Sequence, residues 1–264
     1  MIKGKEFGMV RLVASDVDGT LLQKDEQEIS QTVFDAIRRL RERNVLFAVA
    51  SGRAYHELKR LFEPVSDQII FVSLDGALVV YRGQVLMSCP IDKRYIQEFA
   101  DGVVSRFGCD VVCSGRNLSY FQSESQPFEE MLRQNYHQHV MQVDRLSEIR
   151  EDIFKLSFYN GDISLQNEKL PGLRNDKLAA IYTDNGWMEF VARGTDKGAA
   201  IAFLRKKFAV PKAQVMAFGD NFNDIGMLRA VGEGYAMAEG KREVRTLCRH
   251  VTDSVVDTLN QYFF

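Results

Sequence analysis

Residues 10–22 read VRLVASDVDGTLL, an apolar run that ends in two aspartates and then a glycine. Alternate side chains of a β-strand share a face, so Asp16 and Asp18 on a continued strand would point the same way, about 6.6 Å apart. At an effective dielectric near 20, two charges at that separation repel by roughly 2–3 kcal/mol. We therefore expect a cation or a shared proton beside this pair.

Apolar runs alternate with helical periodicity on both sides of this segment. RLVAS, VLFAVA and IIFVSL are near-continuous apolar strands separated by helices, a pattern typical of a parallel sheet covered on both faces. VVYRGQVLM then indicates a hairpin, and KLAAIYTDNGWMEFVA carries a second hairpin signal at Asn185-Gly186. After residue 193 the helix–strand rhythm resumes. We predict an α/β fold, with a Rossmann-like parallel-sheet core from residues 1–87 and 193–264 and an inserted α+β cap at 88–192.

Bulk composition limits the partners. The chain has 264 residues and a net charge of -2, so it has no strong positive field to attract nucleic acid or anionic lipid. The amino terminus lacks the apolar core of a signal peptide, and no apolar stretch reaches membrane-spanning length. The four cysteines lack metal-site or disulfide spacing, which favours free thiols in a reducing cytoplasm. We expect a cytoplasmic protein that is a monomer or weak homo-oligomer.

Four predicted strand ends carry unusual polar sequences: DVDGT, ASGR, SLDGA and FGDNFND. In open parallel sheets, ligands bind beyond the carboxyl ends of the strands. Each motif alone has a simpler interpretation. DVDGT could be a calcium loop, although an EF-hand loop needs its glycine at the sixth position and a helix before it. ASGR could cap a helix, and GDNFND could form an Asx-rich turn.

Together the motifs predict a site for a cation and an anion. Four aspartates would crowd one sheet edge, and this much negative charge requires a counter-ion. These are Asp16, Asp18, Asp220 and Asp224. All-oxygen ligands in an open site favour Mg²⁺. Donors suited to a phosphoryl group accompany them, namely Ser51, Lys197 and Asn223. Lys197 begins a predicted helix, where the helix dipole disfavours a cation unless an anion lies nearby.

Four motifs, in this order, resemble those of the haloacid dehalogenase superfamily: DVDGT, ASGR, the lysine of DKG (Lys197) and GDNFND. The position of the insert between the third strand and this lysine resembles the Cof-type phosphatase branch. The resemblance implies that Asp16 is the nucleophile, forming an aspartyl-phosphate, and that Asp18 is the general acid and then the base. It implies a phosphoryl clamp made of Ser51, the Gly52 amide, Lys197 and Asn223. It also implies Mg²⁺ ligation by Asp16, the Asp18 backbone carbonyl and Asp220, with Asp224 supporting the metal from behind.

The chain departs from the branch pattern at three places. Asp75-Gly76-Ala77 stands where the branch usually has Asn-Gly-Ala, which removes an amide donor and adds a negative charge. Glu239-Gly240-Lys241 replaces a frequent Gly-Asn-Ala, and the carboxyl-terminal tail lacks the usual Asp-Gly-Val. Since none of these changes touches the four motifs, we expect them to affect specificity rather than chemistry.

The resulting hypothesis is a Mg²⁺-dependent phosphatase that acts on small phosphorylated metabolites, for which sugar phosphates are one candidate. One alternative is a phosphomutase or phosphotransferase that donates the aspartyl-phosphate to a second hydroxyl. Another is a non-catalytic phosphoryl-sensing module. His137 and His139 lack a third metal ligand, and Trp187 is interpreted as a packing residue, so no residue of the insert is assigned to substrate binding.

Overall fold

The computed structural model describes residues 9–23, 26–135, 139–161, 176–181, 183 and 186–264. The strands are β1 (Leu12–Ser15), β2 (Leu46–Ala50), β3 (Ile70–Ser73), β4 (Leu78–Tyr81), β5 (Gln84–Ser88), β6 (Asp110–Gly115), β7 (Ser119–Gln122), β8 (Val140–Gln142), β9 (Ile153–Tyr159), β10 (Leu178–Ile181), β11 (Trp187–Ala192), β12 (Val215–Gly219), β13 (Glu233–Met237) and β14 (His250–Thr252). The described helices are α1 (Gln31–Glu42), α2 (Tyr55–Leu61), α3 (Lys93–Phe107), α4 (Gln126–Asn135), α5 (Lys197–Lys207), α6 (Ile225–Ala230), α7 (Arg242–Leu247) and α8 (Val255–Phe263).

Eight strands form the first sheet, in the order β14-β13-β12-β1-β2-β3-β4-β5. All strands from β14 to β3 are parallel, and β1 lies between β12 and β2. All four residues of β1 are buried, as its apolar sequence predicts for a strand covered on both faces. Val13 packs on the side of α1, α2 and α8, whereas Leu12 and Ala14 pack on the side of α5, α6 and α7. The predicted α/β core with a parallel sheet is therefore confirmed.

The strands of residues 110–192 form a second sheet, in the order β10-β11-β9-β6-β7-β8. Its pairs are antiparallel except β7 with β8. Helix α3 packs with Leu156 and Phe158 of β9 on one face, whereas Phe128 and Leu132 of α4 pack with Val112 on the other. Strands β10 and β11 pair as predicted for the second hairpin, although Asn185 lies outside the described residues.

One end of the first sheet confirms the hairpin predicted for VVYRGQVLM. Strands β4 and β5 extend this sheet as an antiparallel hairpin whose turn residues, Arg82 and Gly83, both have positive φ. Helix α7 ends at Leu247, because Cys248 is extended and β14 then pairs with β13. Helix α8, which was not predicted from the sequence, follows and packs Leu259 and Phe263 against α1. In the described part of the chain, no helix combines the length and the apolar character needed to cross a membrane.

Helices α5 and α6 meet backbone to backbone at Gly198, where a Cβ would lie 2.4 Å from the carbonyl group of Gly226. We therefore expect Gly198→Ala to destabilise the protein by about 1–3 kcal/mol through overpacking. Gly102 is a matched control in α3, since a Cβ there meets nothing within 4 Å. Gly102→Ala should stabilise by about 0.5–1 kcal/mol. Urea denaturation measures both changes, and an equal response of the two variants would contradict the close packing at Gly198.

Candidate active site

The four strand ends with polar sequences come together at one edge of the first sheet. Because β12, β1, β2 and β3 are adjacent and parallel, their carboxyl ends lie side by side. A cavity of about 670 Å³ opens there. Six of the predicted site residues line it, namely Asp16, Asp18, Ser51, Gly52, Asp220 and Asn223. The other two, Lys197 and Asp224, are 1% and 0% exposed and lie beneath its floor.

Lys197 holds two of the aspartates. Its Nζ lies 2.7 Å from Asp16 Oδ1 and 2.7 Å from Asp224 Oδ1. Burial opposes the charge of Lys197, but the two carboxylates raise its pKa above the ordinary value. Burial and the Asp224 charge in turn raise the pKa of Asp16 well above its usual range, despite Lys197. The single positive charge of Lys197 therefore does not neutralise the carboxylates around it. Lys197 is a cation beside Asp16, as expected from the sequence, but it supplies only part of the positive charge that these carboxylates require.

Asp224 is fixed by hydrogen bonds to both of its oxygens. While Oδ1 accepts from Lys197, Oδ2 accepts from the backbone N–H groups of Asp220 at 2.9 Å and Asn221 at 3.1 Å. A Cβ at Gly219 would lie 2.6 Å from Asp224 Cβ, so the glycine allows this close approach. Asp224 thus anchors both Lys197 and the loop that carries Asp220.

Asp16, Asp220 and Asp224 form a carboxylate cluster that could hold a metal ion. One oxygen from each lies within 4.8 Å of the others. Burial and the Asp224 charge raise the pKa of Asp220 to about 6. Gly19 has φ +84°, and a Cβ there would lie 2.6 Å from Asp220 Oδ2. The glycine of the first motif therefore lets its turn approach the fourth motif closely. An all-oxygen donor set with excess negative charge suits a hard divalent cation.

Asp18 is not on the strand with Asp16, because β1 ends at Ser15. The chain turns there, and the N–H groups of Thr20, Leu21 and Leu22 all approach the carbonyl of Val17. The expectation that Asp16 and Asp18 share a strand face therefore does not apply.

The carboxylate of Asp18 instead binds Arg53, whose Nε lies 2.9 Å from Oδ2 and whose Nη2 lies 2.6 Å from Oδ1. Arg53 completes the ASGR motif, but the sequence alone gave it no role. The two aspartates of the first motif therefore contact different cationic side chains: Asp16 contacts Lys197, and Asp18 contacts Arg53.

Asp75, the departure from the branch pattern, lies inside the site. It is 1% exposed and has φ 55°, a left-handed conformation that aspartate tolerates better than most residues. Its Oδ1 accepts a hydrogen bond of 3.0 Å from Asn223 Nδ2. A Cβ at Gly52 would lie 3.1 Å from Asp75 Oδ2. Asp75 thus contacts the second and fourth motifs together.

The second sheet supplies a polar wall of the cavity that the sequence did not predict. Lys155 Nζ lies 2.7 Å from the carbonyl oxygen of Gly52 and 2.9 Å from Glu189 Oε2. Ser157 Oγ donates to Glu189 Oε1 at 3.0 Å. The available signal was Lys155 and Ser157 alternating with the apolar Leu156 and Phe158 in β9. Such alternation indicates two chemically different faces without showing what the polar face contacts.

Of the remaining candidates in the second sheet, Trp187 packs among aromatic side chains. Trp187 lies beside Tyr159 and Phe128, with ring centroids 4.9 and 6.2 Å away, and it also borders the cavity. The ring of His139 lies 5.9 Å from that of His56, whereas His137 lies outside the described residues. All four cysteines are free.

Glu57 of α2 is a buried carboxylic acid at the cavity. Burial raises its pKa to about 7, although the positive charges of Arg53 and Lys155 lower it. Its Oε1 accepts no hydrogen bond from any residue that the structure describes. Because the folded state holds this proton more tightly than the unfolded state, the contribution of Glu57 to stability falls as pH rises from about 4.5 through about 7.

Glu57→Gln should remove this pH dependence, because the amide does not ionise. As pH rises from 5 to 8, the parent should lose about 2–3 kcal/mol of its free energy of unfolding through ionisation of Glu57, and the variant should not show this loss. Urea denaturation at both pH values measures the change. Glu63→Gln, at an exposed position, is the control and should show no such trend. A constant difference between Glu57→Gln and the parent at the two pH values would contradict a buried acid at this position.

Comparison with known proteins supports the family expectation. The sequence profile of haloacid dehalogenase-like hydrolases matches residues 13–258. The chain is 24% identical to 5-amino-6-(5-phospho-D-ribitylamino)uracil phosphatase YbjI of Escherichia coli, covering 86% of this chain and 85% of that protein. It is 27% identical to HMP-PP phosphatase of Klebsiella pneumoniae, covering 92% and 89%. A crystal structure from Eubacterium rectale superposes with a TM-score of 0.87 and 26% identity, over 97% of this chain and 100% of the other. Because the profile spans nearly the whole chain, the protein belongs to the haloacid dehalogenase-like hydrolase family, as its four motifs predicted.

Proposed function

We propose that the protein is a Mg²⁺-dependent phosphatase that hydrolyses small phosphorylated metabolites through an aspartyl-phosphate on Asp16. The observation that carries this proposal is the buried Asp16 carboxylate, held by Lys197 at 2.7 Å on the floor of a cavity large enough for a small metabolite. The names of YbjI and HMP-PP phosphatase describe phosphatases of small phosphorylated compounds, which supports the substrate class.

In the first proposed step, the Asp16 carboxylate attacks phosphorus and the bond from phosphorus to the leaving oxygen breaks. Lys197 fixes the orientation of the nucleophile, so attack needs little further ordering. Splitting the hydrolysis into two displacements replaces one difficult step with two easier ones. The phosphoryl oxygens would be held by Ser51 and by the backbone amide of Gly52. Lys197 and the side-chain amide of Asn223 would complete this clamp.

Asp18 is the proposed proton carrier. It would protonate the leaving oxygen in the first step and then accept a proton from the water that attacks the aspartyl-phosphate. The bidentate contact with Arg53 holds the Asp18 carboxylate at the mouth of the site. Arg53 is therefore a positioning residue: it orients the Asp18 carboxylate, and Asp18 would exchange protons once this contact loosens.

Mg²⁺ is the proposed cofactor, with Asp16, the Asp18 backbone carbonyl and Asp220 as ligands. The clustered carboxylate oxygens and their excess negative charge fit this hard cation. Both oxygens of Asp224 already accept hydrogen bonds, which favours a supporting position behind the ligands. When bound, Mg²⁺ would neutralise charge on the phosphoryl group and on the nucleophile.

Residues 88–192 are proposed to form a cap over a core made of residues 1–87 and 193–264. The polar wall of β9 and β11 supports this division, because Lys155 reaches the carbonyl oxygen of Gly52 across the cavity. Closure of a cap excludes water and sets the environment of the leaving group. The four free cysteines suit a reducing cytoplasm, which is the proposed location.

A panel of phosphorylated metabolites, assayed for inorganic phosphate with Mg²⁺ and with a chelator, tests the function. We expect release that depends on the added metal. Release of inorganic phosphate also separates a phosphatase from a mutase, which retains the phosphoryl group in its product. Phosphate release from none of the metabolites and from no aryl phosphate would contradict the proposal.

Asp16→Asn should lower turnover by about 10⁴-fold or more, because an amide does not replace the carboxylate nucleophile. Far-ultraviolet circular dichroism should show an intact fold. Asp67→Asn, at an exposed position outside the cavity, is the matched control and should keep full activity. Substantial hydrolysis of an aryl phosphate by Asp16→Asn would refute the aspartyl-phosphate mechanism.

Asp18→Asn should slow the hydrolysis of alkyl phosphates more than that of aryl phosphates. A phenolate needs little protonation to leave, whereas an alkoxide depends on the general acid. The second step also loses its base, so phosphorylated enzyme should accumulate and be detectable by intact-protein mass spectrometry. Equal losses for both substrate types without a trapped phosphoenzyme would argue against both roles of Asp18.

A further inference from the structure

One ammonium group meets three carboxylates where the second sheet faces the core. Lys155 Nζ lies 2.9 Å from Glu189 Oε2 and 3.7 Å from Asp75 Oδ2. Glu57 is a third carboxylate near enough to affect the charge of Lys155. All four side chains line the cavity and are at least 85% buried. Asp75 and Glu189 alone exceed the single positive charge of Lys155, so the boundary between the phosphoryl site and the rest of the cavity carries buried negative charge even while Glu57 is protonated.

Two of these carboxylates retain a buried oxygen without a donor. Among the described residues, neither Asp75 Oδ2 nor Glu57 Oε1 accepts a hydrogen bond. Asp75 is 1% exposed and Glu57 is 6% exposed. Glu189 differs, since Lys155 and Ser157 each donate to one of its oxygens. A buried acceptor without a donor is costly, and a bound ligand that supplies the donor recovers that cost.

The other cations of the cavity do not reverse this charge. Arg53 is already engaged by both oxygens of Asp18, and Arg60 is exposed at the rim. Among the described residues, seven carboxylates and three cationic side chains line the cavity. Even with a divalent cation at the Asp16 cluster, the leaving-group side remains acidic. Low-dielectric walls strengthen the effect of such a field on a bound ligand.

We propose that the leaving groups of preferred substrates carry a hydrogen-bond donor, best an ammonium group, which Asp75 and Glu57 accept, and that anionic leaving groups are disfavoured. This inference rests on the proposed phosphatase function and adds a substrate class to it. Asp75 contacts Asn223 of the phosphoryl clamp, so the donor would lie close to the phosphoryl group. A two-carbon leaving group is therefore long enough to test the idea.

Three esters of matched size provide the test: phosphoethanolamine, hydroxyethyl phosphate and phosphoglycolate. They carry an ammonium, a hydroxyl and a carboxylate at the same position. We expect kcat/KM to fall in that order, with phosphoethanolamine favoured over phosphoglycolate by about tenfold or more. For any ester that is not hydrolysed, the inhibition constant against para-nitrophenyl phosphate replaces kcat/KM, with the same order expected.

Glu57→Gln identifies the source of the preference. At pH 8, where Glu57 is ionised, loss of its carboxylate should reduce the ratio between phosphoethanolamine and phosphoglycolate several-fold, whereas the exposed control Glu63→Gln should leave it unchanged. Asp75→Asn gives a second, independent variant with the same expected direction. Equal preference, preference for phosphoglycolate, or a ratio unaffected by both variants would overturn the inference. If para-nitrophenyl phosphate is hydrolysed in those cases, the proposed function survives, whereas failure to hydrolyse any of the four esters overturns both.

Discussion

The buried contact of Lys197 with Asp16 and Asp224 organises the site. Folding removes the carboxylates of Asp16 and Asp224 and the ammonium of Lys197 from water. Buried charges are stable only when groups of opposite charge are in direct contact. Lys197 begins α5, Asp16 follows β1 and Asp224 follows β12, so the contact ties three separate elements to one point. Removing the cation would leave two carboxylates buried without compensation. Three features of the fold position these side chains. They are the adjacency of β12 and β1 in the sheet, the close packing of α5 on α6, and the absence of a side chain at Gly219.

The polar wall of the second sheet adds a different constraint. Lys155 contacts the carbonyl oxygen of Gly52, so the element that shapes the leaving-group side also contacts a loop proposed to hold phosphoryl oxygens. Asp75 connects the second sheet to the fourth motif, because it lies beside Lys155 and accepts a hydrogen bond from Asn223. The aspartate that replaces an amide in the branch pattern therefore has a structural partner, Lys155, in the second sheet. Through Lys155, the second sheet therefore contacts two loops of the candidate site directly.

The sequence predicted what local patterns and parallel-sheet geometry determine. Apolar strands followed by polar motifs were enough to bring Asp16, Ser51, Asn223 and Asp220 to one sheet edge. The separate cations of Asp16 and Asp18 were not predictable, because β1 ends before Asp16 and the chain then turns. Lys155 lies 103 residues from Gly52 along the chain, and its strand pattern does not reveal which surface it faces. Glu57 was missed because an acidic residue in a helix is usually solvated, and only tertiary packing buries this one.

The central claim is that hydrolysis proceeds in two displacements through Asp16, and the stereochemical course at phosphorus tests it most directly. A phosphorothioate ester whose phosphorus carries sulfur and two different oxygen isotopes, hydrolysed in water labelled with the third isotope, gives inorganic thiophosphate of defined configuration. Each in-line displacement inverts the configuration at phosphorus. Two displacements through an aspartyl-phosphate predict overall retention. Overall inversion would show that water attacks the substrate directly, and it would contradict the account.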